Sequence, residues 1–445
     1  MKTLTAAAFL SLSVIQIAQA QTIEFIPIPG QSAEPGCNEN VCIMSGTTGY
    51  SGVRVSADGS TVATIVFQPG PAIGYIPRYA ARWTREGGTQ VISPDLPGLY
   101  PPVGISADGS VIYGESWRWR ATGGYQANLP FLNAGIFGSQ NRLIFGVSDD
   151  GLTVAGVQGI YPEQGDMFTA RPATQQVTLL PRAPQVPTGY FYFNTISGDG
   201  TVVAGSTRRI NTTDPFAFDR YTGVLIRTGA APSTTLVTPE GGQAGVTDLS
   251  FNGSVAVGYL SESFTLRAFR WSADEGLQLL QEGLGGSDSS YARAVSADGS
   301  VVVGDYLNFG VGGTRAWIWR RDLGFVDLLD YASFTLGGAD ALSGWRLLVA
   351  TDISADGKTI VGQGLNPAGV EQAFLLRIVD ATCEYDYNRD ENIDLLDAQQ
   401  MAQVFVGTLN PSPEWLDGDL NFDESFDLTD AQLLATFVVT GTCGV

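Results

Sequence analysis

Apolar and polar positions alternate along most of this chain in short blocks, and one block recurs. Its clearest copy is Ala294 to Gly304, A-V-S-A-D-G-S-V-V-V-G: an apolar run, a tight polar turn and a second apolar run ending in glycine. Short β-branched runs bounded by turn residues predict strands, and Asp-Gly between two of them predicts a hairpin, because glycine accepts positive φ and aspartate bonds nearby backbone. Seven copies carry turn glycines at Gly59, Gly109, Gly151, Gly200, Gly253, Gly299 and Gly357. Successive spacings of 50, 42, 49, 53, 46 and 58 residues describe a repeat array.

A second pattern follows the hairpin in most copies: a small residue, alternating aromatics, a turn and an apolar run. It reads Ala268-Phe269-Arg270-Trp271 before Leu277 to Leu280, Ala316-Trp317-Ile318-Trp319 before Phe325 to Leu329, and Ala81-Arg82-Trp83 before Val91 and Ile92. Each unit thus predicts about four strands, the make-up of a propeller blade. The last unit stops one strand short, after Ala373 to Ile378, while Thr22 to Pro29 is strand-like and belongs to no unit. The expectation is a mainly β fold: a seven-bladed β-propeller over 21–380, closed by its N-terminal strand in the last blade. An open solenoid or two smaller sheet domains would instead leave strand edges needing caps.

The repeat resembles the extracellular HAF repeat family, in which a small residue and Phe follow an S-x-D-G hairpin, here Arg267-Ala268-Phe269 and Gln372-Ala373-Phe374. Histidine never fills the first place of the tripeptide. The resemblance covers the repeat array, and it implies an exported propeller without implying an activity.

Composition narrows the chemistry. The chain has no histidine, which excludes Ser-His-Asp and Cys-His nucleophiles and histidine metal sites. Its net charge of -21 argues against nucleic acid and anionic membrane partners, which require basic surfaces. The turn aspartates Asp58, Asp108, Asp150, Asp199, Asp298 and Asp356, with Asn252 in the fifth copy, recur with the turn and read as structural. Glu115 and Asp305, each directly after a blade glycine, are the catalytic candidates: a carboxylate pair if they face a channel, solvated loop charges if they do not.

Residues 1–20 read as a secretory signal, with Lys2, an apolar centre from Ala6 to Ile17 and an A-x-A cleavage site ending at Ala20. No stretch is apolar for long enough to span a bilayer, so the expected location is extracellular or at the cell surface. Four cysteines then form an even set in an oxidising compartment. Of three connectivities, Cys37–Cys42 with Cys383–Cys443 is the most economical.

The segment 381–445 holds 13 carboxylates against Arg389 alone. Asp386, Asn388, Asp390, Asn392, Asp394 and Asp397 stand at positions 1, 3, 5, 7, 9 and 12 of a calcium loop. Asp419, Asn421, Asp423, Ser425, Asp427 and Asp430 repeat the spacing 33 residues later. Each loop runs into an apolar helical face, Leu395-Ala398-Ala402-Phe405 and Leu428-Ala431-Ala435-Val438. The expectation is a small α-helical domain binding two calcium ions through EF-hand-type loops. The duplicated unit resembles type I dockerin modules. That resemblance implies a cohesin-like extracellular or cell-surface partner touching Leu395, Leu396, Leu428 and Thr429. It departs from the family at position 6, where Glu391 and Glu424 replace the usual glycine. Two functions compete: a docked, non-catalytic binding propeller, or a carbohydrate-active propeller acting on polysaccharide. A purely structural surface protein is a third.

Overall fold

The computed structural model describes residues 21–28, 52–67, 78–94, 101–127, 129–132, 142–158, 166–180, 190–209, 220–229, 233–236, 243–262, 265–281, 289–308 and 313–380, together with Gln399, Ala402 and Gln432. The chain divides into two compact units, Ile23–Arg377 and a second made of both chain ends, Met1–Thr22 with Ile378–Val445.

The first unit is built of seven four-stranded sheets. Blade 1 is β2 (Arg54–Val55), β3 (Thr61–Phe67), β4 (Arg78–Thr84) and β5 (Gly88–Val91). Blade 2 is β6 (Pro102–Ile105), β7 (Val111–Gly114), β8 (Trp117–Arg120) and β9 (Gly124–Ala127). Blade 3 is β10 (Arg142–Val147), β11 (Val154–Gln158), β12 (Asp166–Arg171) and β13 (Gln176–Leu179). Blade 4 is β14 (Tyr190–Ile196), β15 (Val202–Arg209), β16 (Arg220–Arg227) and β17 (Ser233–Leu236). Blade 5 is β18 (Gln243–Leu249), β19 (Val255–Glu262), β20 (Thr265–Ser272) and β21 (Gly276–Leu279). Blade 6 is β22 (Ser289–Val295), β23 (Val301–Asn308), β24 (Gly313–Arg320) and β25 (Gly324–Asp327). Blade 7 takes β26 (Arg346–Ile353), β27 (Thr359–Leu365) and β28 (Glu371–Asp380) from the end of the array, and its outer strand β1 (Gln21–Pro27) from the start. The seven-bladed propeller closed by an N-terminal strand is therefore the observed fold.

Closure is knitted by main chain and side chain together. Ile28 N donates to Ala373 O at 2.9 Å, and Gln372 Nε2 donates to Ile28 O at 3.2 Å. Phe25 meets Trp345 edge-on at 5.0 Å and stacks on Phe374 at 6.0 Å. Ile28 joins Val53, Val55, Val62 and Trp83 of blade 1 and Val361, Ala373 and Leu375 of blade 7 in one core. Elsewhere too the apolar core lies between neighbouring blades, as where Val255, Val257 and Ala268 meet Ala292, Val302 and Trp317. No blade buries its faces alone, so the ring gains stability only as a set.

Each S-x-D-G hairpin is the same physical device. In the first, Gly59 N donates to Ser56 O at 2.8 Å, Asp58 Oδ1 accepts from Ser56 Oγ and Ser60 N, and Ser56 Oγ accepts from Thr61 N. The turn glycine takes positive φ, 67° at Gly109 and 76° at Gly299. At Gly109 an added Cβ would also lie 2.3 Å from Thr61 Oγ1 of the preceding blade, whereas around Gly88 (φ 59°) there is open space. Gly88→Ala should therefore cost only the strain, about 1–2 kcal/mol, and Gly109→Ala clearly more. Urea unfolding of both variants checks the order, and equal losses would show that the blade-to-blade approach is unimportant.

One element differs from expectation. The run Phe325 to Leu329 does not finish as a strand: Asp327 caps a helical turn, Leu328–Asp330, accepting from Leu329 N and Asp330 N, and a wider turn Tyr331–Thr335 follows. An aspartate with extended backbone is a strong N-cap, and here it overrides the strand signal. Among the described residues, no helix is long and apolar enough to cross a membrane. The α-helical domain expected over 381–445 lies outside the described residues, of which that segment contributes only Gln399, Ala402 and Gln432.

Candidate functional site

The innermost strands converge on a bore, and a shared irregularity decides what lines it. In β6, β10, β14, β18, β22 and β26 the register with the second strand slips by one residue, at Pro102/Gly104, Ile144/Gly146, Phe193/Thr195, Val246/Asp248, Ala292/Ala294 and Ala350/Asp352. A bulge re-aims side chains and bends the strand. The partner strand accommodates it with glycine: a Cβ on Gly258 would lie 1.9 Å from Gly245 O, and one on Gly304 equally close to Tyr291 O. The residue after each bulge, five before the turn glycine, faces the bore. In the six bulged strands these are Gly104, Gly146, Thr195, Asp248, Ala294 and Asp352; Arg54, at the matching place in the two-residue strand β2, whose pairing with β3 is regular, lines the same bore. The cavity they line is about 160 Å³ and also meets Asp149, Arg293, Phe145 and Phe251.

Two Thr-Asp pairs in the bore pin one blade to the next. Asp248 Oδ2 accepts from Val295 N of blade 6 at 2.9 Å, and Thr247 Oγ1 donates to Ala292 O at 2.7 Å. Asp248 Oδ1 accepts from Thr195 Oγ1 of blade 4 at 3.2 Å, so one carboxyl touches three blades. The closing seam repeats the device. Asp352 Oδ2 accepts from Val55 N at 3.0 Å, and Thr351 Oγ1 donates to Val53 O at 3.0 Å. Burial pushes the Asp248 carboxyl up to about 7, and the Asp352 charge adds to this against the pull of its backbone donors and Arg54. Asp352 is raised by burial as well, with Arg54 and the amides of Val55 and Ile353 opposing. Asp149 is raised by burial and then by its neighbours Asp150 and Asp199.

The cations in the bore are in different situations. Burial opposes the charge on Arg293, but its ion pair with Asp305, at 2.5 Å, raises its pKa overall, and its guanidinium lies 5.0 Å from the Tyr291 ring centroid. Among the described residues, Arg54 donates to two main-chain carbonyls, Val103 O and Val53 O, both at 3.5 Å.

The mouth at the S-x-D-G turns is belted by main-chain bonds. Ala107 N donates to Asp149 O, Asp149 N to Gly198 O, Phe251 N to Ala297 O, Ala297 N to Ala355 O, and Ala355 N to Ala57 O across the seam. The remaining two steps run from Asp58 N to Ala107 O and from Asp199 N to Phe251 O. The turn aspartates are occupied inside their own turns. Burial opposes ionisation of Asp58, Asp199 and Asp298, yet the turn's hydroxyl and amide donors hold all three below the usual carboxylate range.

The catalytic candidates are not brought together. Glu115 lies in the β7–β8 connection of blade 2, is 2 % exposed, and has its carboxyl pushed up to about 7 by burial. Asp305 lies on β23 of blade 6, paired with Arg293. Neither lines the bore. The calcium-loop positions from Asp386 to Asp397 and from Asp419 to Asp430, the contact positions Leu395, Leu396, Leu428 and Thr429, the cysteines Cys37, Cys42, Cys383 and Cys443, and the segment 1–20 lie outside the described residues. Among the described residues, no three acidic or thiol side chains converge to hold a metal ion.

Sequence reasoning missed Arg54, Asp248 and Asp352. A signal for them exists: aligned on the turn glycines, they are the only charged residues at the fifth place before it, and two sit in matching strings, V-T-D-L-S and A-T-D-I-S.

No family model and no curated protein matches the sequence. Among solved structures, the chain is similar to the β-propeller domain of the Trilobed protease from Pyrococcus furiosus, at 12% identity over 73% of this chain and 94% of that one, with a TM-score of 0.48. It is similar to oligogalacturonate lyase from Vibrio parahaemolyticus, at 9% identity over 80% and 97%, with a TM-score of 0.47. It is also similar to TolB from Acinetobacter baumannii, at 14% identity over 61% and 63%, with a TM-score of 0.39. These similarities concern the fold alone.

Proposed function

We propose that this is an exported binding protein, in which a non-catalytic seven-bladed propeller is attached to an extracellular or cell-surface partner by a calcium-dependent, dockerin-like tail. The observation that supports a binding role for the ring is the bore. Its acids brace neighbouring blades through hydrogen bonds, and Glu115 and Asp305 sit in separate blades away from it. For the tail, the support is the oxygen spacing repeated at a 33-residue offset, with an apolar helical face after each copy. Loops of this kind have no site until they fold around the ion, so binding free energy becomes folding free energy. Calorimetry of the full chain tests this. With calcium, two transitions are expected; with chelator, the tail transition disappears and the ring transition stays within about 1 °C, since ligand stabilises only what binds it. An unchanged thermogram sinks the calcium assignment.

One observation favours a second reading, a carbohydrate-active propeller enzyme docked by the same tail. Asp248 and Asp352 share one bore, and the former has a carboxyl near neutrality, as a general acid requires. A polysaccharide hydrolysis and lyase screen, repeated with Asp248→Asn, Glu115→Gln and Asp305→Asn, decides between the two.

A further inference from the structure

We propose that the bore holds one small zwitterion of the α-amino-acid class, its ammonium group between Asp248 and Asp352 and its carboxylate on Arg54. This rests on reading the ring as a binding domain. Charge in the bore is unbalanced in a specific way. Arg293 is neutralised by Asp305, which leaves Arg54 against Asp149, Asp248 and Asp352. Among the described residues Arg54 makes no ion pair within contact distance, and its two contacts at 3.5 Å stand at the limit of a hydrogen bond, so its planar fork is left for an acceptor. Asp248 and Asp352 each use one acceptor place per oxygen, and a carboxylate offers about four.

The alternatives fit less well. A bare divalent cation would sit beside a guanidinium, and a lone anion would face three carboxyl groups. A neutral polyol would leave the Asp248–Asp352 repulsion in place. A zwitterion relieves that repulsion with its ammonium and gives Arg54 a bidentate partner. Size agrees: at roughly 10–15 Å³ per water, a cavity of about 160 Å³ has room for a ligand of amino-acid size. Phe145 and Phe251, the latter 46% exposed, add apolar lining for a side chain.

The test is titration calorimetry of the full-length protein with L-serine, L-phenylalanine, L-glutamate, ethylamine, acetate and methyl glucoside. At least one amino acid should bind saturably, one per chain, and at least about tenfold more tightly than ethylamine or acetate, the worth of one charge-assisted contact. Arg54→Gln removes two long main-chain contacts and the cation facing Asp248 and Asp352; it should weaken the amino acid by about tenfold or more without weakening ethylamine. Asp248→Asn should weaken amino acid and ethylamine alike. No saturable heat with any amino acid, equal binding of acetate, or unchanged affinity in Arg54→Gln overturns the proposal; so does binding of methyl glucoside alone, which would favour the carbohydrate reading. The chelation experiment on the tail is independent, so failure here leaves the docking reading to stand or fall by itself.

Discussion

Replacing Ile28 by alanine is expected to destabilise the ring by about 2–5 kcal/mol, read as a shift of the urea midpoint of the full-length protein. Ile28 is fully buried and closes the core shared by blades 7 and 1. The lost carbons leave a cavity where two blades and the N-terminal strand meet, and β3, β27 and β28, each tied by hydrogen bonds on both sides, cannot collapse into it. Against a total stability of about 5–15 kcal/mol for a typical domain, this is a large fraction. Removing β1 altogether should go further, because blade 7 would end in the unpaired edge of β28, an open template for aggregation. Leu179→Ala is the control: Leu179 lies on the outer strand of blade 3, 51% exposed, and should cost little. The exposed ion pair between Arg85 and Glu24 also spans the seam and should contribute under about 1 kcal/mol. If Ile28→Ala and Leu179→Ala shift the midpoint equally, the N-terminal strand is not what holds the ring closed.

Raising the pH from about 5 to about 8 should lower the stability of the ring by several kcal/mol. Asp248 and Glu115 both have carboxyls near 7 in the folded protein, from ordinary values of 3.8 and 4.5. They hold their protons more tightly folded than unfolded. That advantage is complete below the unfolded values and is lost as pH rises through about 7, at about 1.4 kcal/mol per pH unit for each group. Asp352 and Asp149 are displaced the same way. The turn aspartates Asp58, Asp108, Asp199 and Asp298 are held low and act in the opposite window, contributing above about pH 4 and failing on further acidification. A stability maximum in mildly acidic solution follows. Asp248→Asn retains an acceptor for Val295 N but cannot ionise, so with Glu115→Gln it should flatten the decline toward pH 8. A wild type that is no less stable at pH 8 than at pH 5, or a double variant with an unchanged slope, would refute the assignment.

The parts of this fold that were legible in sequence are those set by local physics. Asp58-Gly59 and its six relatives announce hairpins because a left-handed glycine and a side-chain acceptor are needed within a few residues of each other. The missing outer strand of the last unit and the spare strand at 21–27 could be matched because a blade edge left open is costly. The Phe325–Leu329 run misled because a single cap, Asp327, outweighed four apolar residues. Glu115 and Asp305 were conspicuous because they follow blade glycines, but sequence distance says nothing about which face of a blade a carboxyl takes.

By itself, then, the sequence determined the number of blades, the turn chemistry and the need for closure, since strand and turn preferences act over a few residues. What the bore contains was decided only by the tertiary structure. Asp352 and Val55 are 297 residues apart and bond only because the ring closes. The bulges in six of the inner strands then select which side chain turns inward, and being enclosed together there displaces the carboxyls from their ordinary values.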